Sequence, residues 1–355
     1  MNKELLDELK QLGFEYDEND KIDLETTNKD GYTPLMVAAM QNSSSAIKVL
    51  LENGADIEAK DNEGCTALII ASWKNFVNAI KVLLENGANI EAKNEYGNTA
   101  LMLAARHNYT ETIKILLENG ADIETKDNEG WTALMFATTG NCANAIKLLL
   151  AHGADIEVLD NDGRSALMVA AQNNSLDAIK ILLEHWADIQ AKDYNGKTAL
   201  MWAASQYNSD VVRILLENGA NIEAKDNRGR TALMYAAEYC SVGAIKVLLE
   251  KGADIEGVDD FGNTALMLAA GHNYTETIKI LLEHGADIEA KDDEGCTALM
   301  YATTHGCIDV VKILLENGAD IEAKDYSGYT ALEIAKTEAE KYIKITNMLE
   351  TQEKK

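Results

Sequence analysis

The sequence predicts an all-α fold in which ten copies of one helix–turn–helix unit stack into a curved, elongated single array. Three observations lead to this prediction. A glycine recurs every 33 residues from Gly31 to Gly328 without an insertion. A leucine (Leu35 in the first copy) and, three residues later, an alanine (Ala38) recur with the same period. A fixed period of this size is typical of repeat proteins, in which each unit buries its apolar side against its neighbours.

The elements of one unit can be identified in residues 127–159. The unit opens with a turn at residues 127–130, where a glycine can take a positive φ. Thr132 is placed to cap a short first helix. Asn141 suits the turn between the helices because a short polar side chain tolerates a left-handed backbone. A second helix with apolar residues at helical spacing then ends at Gly153. Each unit is therefore predicted to be a turn or hairpin finger followed by two helices.

This layout resembles the ankyrin repeat, whose period and element order the chain shares over almost its full length. The family signature is Thr-Pro-Leu-His-x-Ala-Ala, followed by a leucine-rich second helix and Gly-Ala-Asp. The first unit keeps the proline, Pro34, and alanine replaces it in every later unit. Where the family has histidine, eight units have methionine, one has Ile69 and the last has Glu333. The family histidine hydrogen-bonds between units, so the resemblance implies that apolar packing replaces this bond here.

The repeat pattern divides the chain into four parts. Residues 1–27 are expected to form a capping helix (residues 3–12) and a partial repeat, and residues 28–324 nine full ankyrin repeats. Residues 325–350 are expected to form a C-terminal capping repeat with a polar helix to about Glu350, followed by a frayed tail at residues 351–355. A longer period is also present: the run that starts at Asn98 returns at Asn263, five units later, with one change. We interpret it as the duplication of a five-unit block.

The composition disfavours several classes of partner and location. A net charge of -27 predicts repulsion from nucleic acid and from anionic membrane surfaces. The first residues lack the basic start and apolar run of a secretory signal, and no window approaches the length of a membrane span. We therefore expect a cytoplasmic protein without membrane insertion, and secretion by a non-classical route is also compatible with the sequence. The five cysteines follow no ligand or disulfide spacing and are expected to be free thiols.

The sequence does not predict an enzyme, a cofactor or a metal site. It contains no glycine-rich phosphate loop, HExxH-like pair or local nucleophile–base arrangement. His272 and His305 occupy the same slot in adjacent units, where stacked helices lie about 8–10 Å apart, too far to share a proton directly. We interpret the methionine column as core packing. The glutamate column that begins at Glu58 is interpreted as a solvated polar face, with a cation-binding strip as the alternative.

Candidate binding residues are those that vary against this regular background. In the ankyrin family the fingers and first helices line a concave groove and make most partner contacts, so the resemblance implies the same surface here. Aromatic and arginine side chains, which dominate binding energy at interfaces, occur at these slots in units four to seven. The candidate partner-binding residues are Trp131, Arg164, Lys197, Trp202, Arg228, Arg230, Tyr235 and Tyr239, and the secondary candidates are Trp73, Arg106 and His107.

The predicted function is a non-catalytic protein–protein interaction module or scaffold, monomeric, that binds a partner through the groove. A basic, aromatic patch in an acidic molecule favours an extended acidic segment of that partner. The alternative explanation of the patch is neutral sequence drift at exposed positions. A structural, self-associating repeat protein and a pathogen-type effector that binds a host protein are the alternative functions. Trp186 stands where eight other units have a helix-ending glycine. We interpret it as a local defect, with a second contact site as the alternative.

Overall fold

The computed structural model of the protein describes residues 24–337 and 343–353. These residues form 20 helices and no strand, which confirms the predicted all-α class. The capping helix expected at residues 3–12 lies outside the described residues. No helix in the described ranges has the length and apolar composition needed to cross a membrane. The helices, named α1 to α20 in chain order, are Pro34–Met40, Ser44–Glu52, Ala67–Trp73, Val77–Glu85, Ala100–Arg106, Thr110–Glu118, Ala133–Thr139, Ala143–Ala151, Ala166–Gln172, Leu176–Glu184, Ala199–Ala204, Ser209–Glu217, Ala232–Glu238, Val242–Glu250, Ala265–Ala270, Thr275–Glu283, Ala298–Thr304, Ile308–Glu316, Ala331–Thr337 and Ile343–Glu353.

The chain divides into two compact units between Ala187 and Asp188. The first unit contains α1–α10 and the second contains α11–α20. Within each unit, every odd-numbered helix contacts the next odd-numbered helix and the even-numbered helix that follows it. The odd-numbered helices, which we call inner helices, therefore stack on each other, as predicted for a repeat protein.

The core of each unit lies along its inner helices. In the second repeat, Leu68 and Ala71 are 1% and 0% exposed, because small alanines let neighbouring helices approach closely. The methionine that replaces the signature histidine is equally buried, as expected for apolar packing. Its sulfur has a second role in some repeats: Sδ of Met102 accepts the backbone N–H of Thr99, the residue that caps the helix, at 3.4 Å. In the last repeat, Oε2 of Glu333 accepts the same N–H, from Thr330, at 2.8 Å.

Each finger is held by the carboxylate or amide at its first position. Oδ1 of Asp160, for example, accepts the backbone N–H groups of Asp162 at 2.9 Å and Arg164 at 2.8 Å. One backbone hydrogen bond of 3.0 Å, from Asn161 to Glu129, joins this finger to the preceding one. The fingers are therefore tight turns that are fixed to each other without a regular sheet.

The glutamate column joins adjacent repeats, and this corrects the interpretation of it as a solvated face. Oε1 of Glu58 accepts the backbone N–H of Asn89 at 2.7 Å, and Oε1 of Glu91 accepts that of Asp122 at 2.8 Å. The carboxylate of Glu91 also accepts the hydroxyl of Thr125 at 2.7 Å. Each of these carboxylates accepts a backbone N–H that lies 31 residues later, in the next repeat. A glutamate recurs at this position because that N–H needs a hydrogen-bond acceptor.

Trp186 adopts the backbone conformation of the glycine that it replaces. Its φ is +64°, and its side chain is 90% exposed. The equivalent Gly153 has a φ of +88° and has no atom within 4 Å of the position that a Cβ would take. The tryptophan therefore meets no steric obstacle and pays only the cost of a left-handed backbone.

We expect Glu91→Ala to lower the free energy of unfolding by about 1–2 kcal/mol, because it leaves one backbone N–H and one hydroxyl without their acceptor. Urea-induced unfolding followed by circular dichroism measures this change. Glu85→Ala, at an exposed position at the end of α4, is the control and should change stability by less than about 0.5 kcal/mol. Equal effects of the two substitutions would refute the joining role.

We expect Trp186→Gly to raise the free energy of unfolding by about 0.5–1 kcal/mol. The left-handed backbone costs a tryptophan about 1–2 kcal/mol, and the extra freedom of glycine in the unfolded chain offsets part of that gain. The reverse substitution, Gly153→Trp, should be destabilising by a similar amount in the same urea titration. A stability of Trp186→Gly at or below that of the wild type would contradict the explanation.

Candidate functional site

Two of the candidate residues in the first unit meet at a buried carboxylate. Asp160 is 3% exposed, and its Oδ2 accepts Nε of Arg164 at 2.8 Å and Nε1 of Trp131 at 3.2 Å. The guanidinium carbon of Arg164 lies 5.8 Å from the centre of the Trp131 ring, and a second carboxylate, Asp162, is 3.2 Å from the guanidinium. The arginine and the tryptophan are therefore brought together as predicted, but polar groups of both are already engaged within the molecule.

In the second unit, Lys197 lies between two aromatic rings. Its Nζ is 4.6 Å from the centre of the Trp202 ring and 4.4 Å from that of Tyr235. Burial lowers the pKa of Lys197, and the neighbouring Asp193 and Asp226 oppose this effect. The ammonium group is thus held by cation–π contacts, in the electrostatic field of carboxylates from two fingers.

The same two fingers bind the aromatic side chains. Nε1 of Trp202 donates to Oδ2 of Asp193 at 3.1 Å, and the hydroxyl of Tyr235 donates to Oδ2 of Asp226 at 2.6 Å. Tyr235 is only 4% exposed, and its burial and this hydrogen bond raise its pKa. Tyr235 is therefore a buried side chain that packs against Lys197. It is not the exposed contact that the sequence suggested.

The remaining candidates of the second unit line a groove of about 370 Å³ together with Lys197 and Tyr235. Arg230 is bound to Glu238 at 2.8 Å, and its Nε lies 3.7 Å from Asp259. Arg228 is exposed, and Tyr239 is 46% exposed, with its ring stacked against Tyr235 at 6.5 Å. Arg228 and Tyr239 are consequently the members of the set that a partner can reach most easily.

The charge balance of the patch differs from the one inferred from the sequence. The sequence suggested a basic patch, but Arg164 and Arg230 are each paired with carboxylates. Sequence reasoning missed these partners, which are the finger aspartates and Glu238. The aspartate that stands three residues before the finger glycine in eight of the ten repeats was the available signal, because its second carboxylate oxygen remains free to bind a side chain after the turn is formed.

The secondary candidates lie in another place, on the first unit. Trp73 and Arg106 line a larger groove, of about 680 Å³, between the fingers and the inner helices α3, α5 and α7. Trp73 is 46% exposed, and Nζ of Lys74 lies 4.0 Å from the centre of its ring. His107 is exposed outside this lining and stacks against Tyr109 at 5.5 Å. The first unit thus presents a groove of its own, with an exposed indole at its edge.

The reactive residue types of the described ranges are dispersed. No group of three or more histidine, cysteine, aspartate or glutamate side chains there is arranged to hold a metal ion. Nδ1 of His305 is hydrogen-bonded to the backbone oxygen of Tyr301 of its own helix at 2.9 Å. Burial, assisted by nearby carboxylates, raises the pKa of Cys65 and of Cys296 to about 11. Both thiols are therefore poor nucleophiles at neutral pH.

We expect Cys65 and Cys296 to react with iodoacetamide at pH 8 about a hundred-fold more slowly in the folded protein than in 8 M urea, because the thiolate fraction is smaller. Peptide mapping by mass spectrometry measures each site. In the folded protein the rate at the partly exposed Cys296 should rise about ten-fold between pH 8 and pH 9, whereas that of the unfolded chain levels off. A fast reaction of Cys296 in the folded protein at pH 8 would show that its pKa is not raised.

Comparison with protein families gives one result. A sequence model described as ankyrin repeats (3 copies) matches residues 2–94, 64–127, 101–193, 167–259 and 256–325. These overlapping matches cover most of the chain. None of the curated proteins compared with the chain matches it.

Proposed function

Because the chain belongs to the ankyrin repeat family, we propose that it is a non-catalytic interaction module that binds another protein through its fingers and inner helices. Ankyrin repeats are generally protein–protein interaction modules. Fold alone does not fix a partner, so the proposal depends on particular side chains.

The observation that carries the proposal is the groove of the second unit, where Arg228 and Tyr239 are exposed beside Arg230 and Lys197. Arg230 is fixed by Glu238, and Lys197 is fixed between two rings. Side chains that are already held in place lose little conformational entropy when a partner binds. Arginine and tyrosine are also the residue types that contribute most to binding energy at interfaces.

The proposed occupant of this groove is an extended segment with an acidic side chain. Three cations and two carboxylates line the groove: Lys197, Arg228, Arg230, Asp226 and Glu238. Since Glu238 is paired with Arg230, an incoming carboxylate would meet Arg228 first and the Tyr239 ring beside it. Trp131 and Arg164 belong to the first unit and are proposed as a contact of their own.

We expect the double substitution Arg228→Glu and Tyr239→Ala to abolish capture of partner proteins from a native lysate, with at least a ten-fold loss of affinity for any purified partner. Neither side chain is buried, so the fold should be unchanged by circular dichroism. Affinity capture with mass spectrometry compares this variant with the wild type.

The matched control is Lys246→Glu with Tyr207→Ala, which makes the same change of charge and removes one exposed tyrosine elsewhere in the second unit. Proteins enriched by the wild type and by the control, but not by the site variant, support the proposal. Retention of the same proteins by the site variant would exclude this groove. Concentration-dependent oligomers in sedimentation, with no protein retained, would favour the self-associating alternative.

A further inference from the structure

Several finger carboxylates are paired with a side chain of the inner helix, whereas those of the first-unit groove are not. In three of the five fingers of the second unit, the residue nine positions after the finger aspartate donates to its Oδ2: Trp202, Tyr235 and Tyr301. In the first-unit groove that position holds Ile70 after Asp61 and Phe136 after Asp127. Neither side chain has a donor. Within the described residues, Oδ2 of these two aspartates receives no hydrogen bond, although Oδ1 of each still holds its turn.

The duplicated block provides an internal comparison for Phe136. Tyr301, five repeats later in sequence, donates its hydroxyl to Oδ1 of Asn263 at 2.7 Å and to Oδ2 of Asp292 at 2.8 Å. The corresponding acceptors in the first unit are Asn98 and Asp127. Since phenylalanine has no hydroxyl, Oδ1 of Asn98 is buried without a hydrogen-bond partner among the described residues. A buried acceptor without a partner costs about 1–3 kcal/mol, so a donor from outside would be favoured there.

The two oxygens that Phe136 leaves without a donor, Oδ1 of Asn98 and Oδ2 of Asp127, lie in the first-unit groove, and this groove is acidic. Asn98, Asp127 and Phe136 are all part of its lining. Its charged lining consists of four carboxylates and two cations: Asp61, Glu63, Asp127, Glu129, Lys74 and Arg106. Burial, together with Asp61 and its neighbours, raises the pKa of Tyr32 and of Cys65 in the same lining. The field at the fingers therefore favours a positive group over a neutral donor.

We propose that this groove binds an extended segment of another protein through one lysine or arginine side chain. The cationic head donates to Oδ1 of Asn98 and Oδ2 of Asp127, in place of the hydroxyl that Tyr301 supplies in the second unit. The aliphatic part of the side chain packs on Phe136 and Ile70, and the exposed Trp73 ring contacts the flanking residues of the segment. This surface is separate from the groove of the second unit and takes a partner group of the opposite charge.

The test uses the full chain and five labelled nine-residue peptides of alternating serine and leucine, which differ only at the central residue: lysine, arginine, glutamine, norleucine or glutamate. Fluorescence anisotropy at 150 mM salt measures binding. We expect the lysine and arginine peptides to bind at least ten-fold more tightly than the other three. The indole N–H resonances of Trp73 and Trp131, which lie in or against the groove, should shift on addition of the lysine peptide. The indole N–H resonance of Trp186 should not shift.

The decisive variant is Phe136→Tyr, which adds the missing hydroxyl without changing the charge of the protein. By analogy with Tyr301, it satisfies both acceptors from within, so it should raise the thermal midpoint and weaken lysine-peptide binding at least ten-fold. The Arg228→Glu and Tyr239→Ala variant should bind the lysine peptide as the wild type does, which separates this test from that of the second-unit groove. Unchanged binding to Phe136→Tyr, or equal binding of the norleucine or glutamate peptide, would overturn the proposal.

Discussion

The two oxygens of the finger carboxylate are the interaction on which the rest of this structure depends. Oδ1 accepts two backbone N–H groups, as Asp226 does from Arg228 and Arg230, and this closes the turn. A charge-assisted bond to two amides fixes the turn more firmly than a neutral acceptor does. Because every finger begins with a carboxylate or, at Asn28 and Asn94, with an amide oxygen in the same role, the side chains that follow it stand at fixed spacings along a unit. The second oxygen, Oδ2, is left for a side chain of the inner helix or for a partner.

The choice of that side chain distinguishes the two grooves. In the second unit, an indole and a phenol occupy Oδ2 of Asp193 and Asp226, and a lysine is held between their rings. In the first unit, apolar side chains fill the corresponding positions and leave carboxylate oxygens available at the groove. The same backbone thus presents a surface with bound cations in one unit and an acidic surface in the other, through substitutions at the finger and at this slot of the inner helix.

The joints between repeats use a different set of side chains. The glutamate column and the asparagine of the inter-helix turn each accept a backbone N–H of the following repeat, as Glu256 does from Asp287 and Asn108 from Ala145. These acceptors lie apart from the groove linings described above. The joints between repeats are therefore made by columns other than the variable slots, so those slots can change without removing a joint.

The period determined the fold from sequence alone, because a strict repeat with a buried leucine and alanine at constant offsets allows only a stack of equal units. It also located the surface that varies, and the structure brings Trp131 to Arg164 and Lys197 to Trp202 as neighbours. The sequence could not decide which of these groups are free. The hydrogen bond from Trp131 to Asp160, 29 positions away in sequence, forms only when adjacent fingers are stacked, and it brings the indole to the carboxylate that Arg164 of the same finger also binds. For the same reason the orphan acceptor at Asn98 is invisible in the sequence: its missing partner, the hydroxyl absent from Phe136, would come from the next repeat, and only tertiary structure places the two side by side.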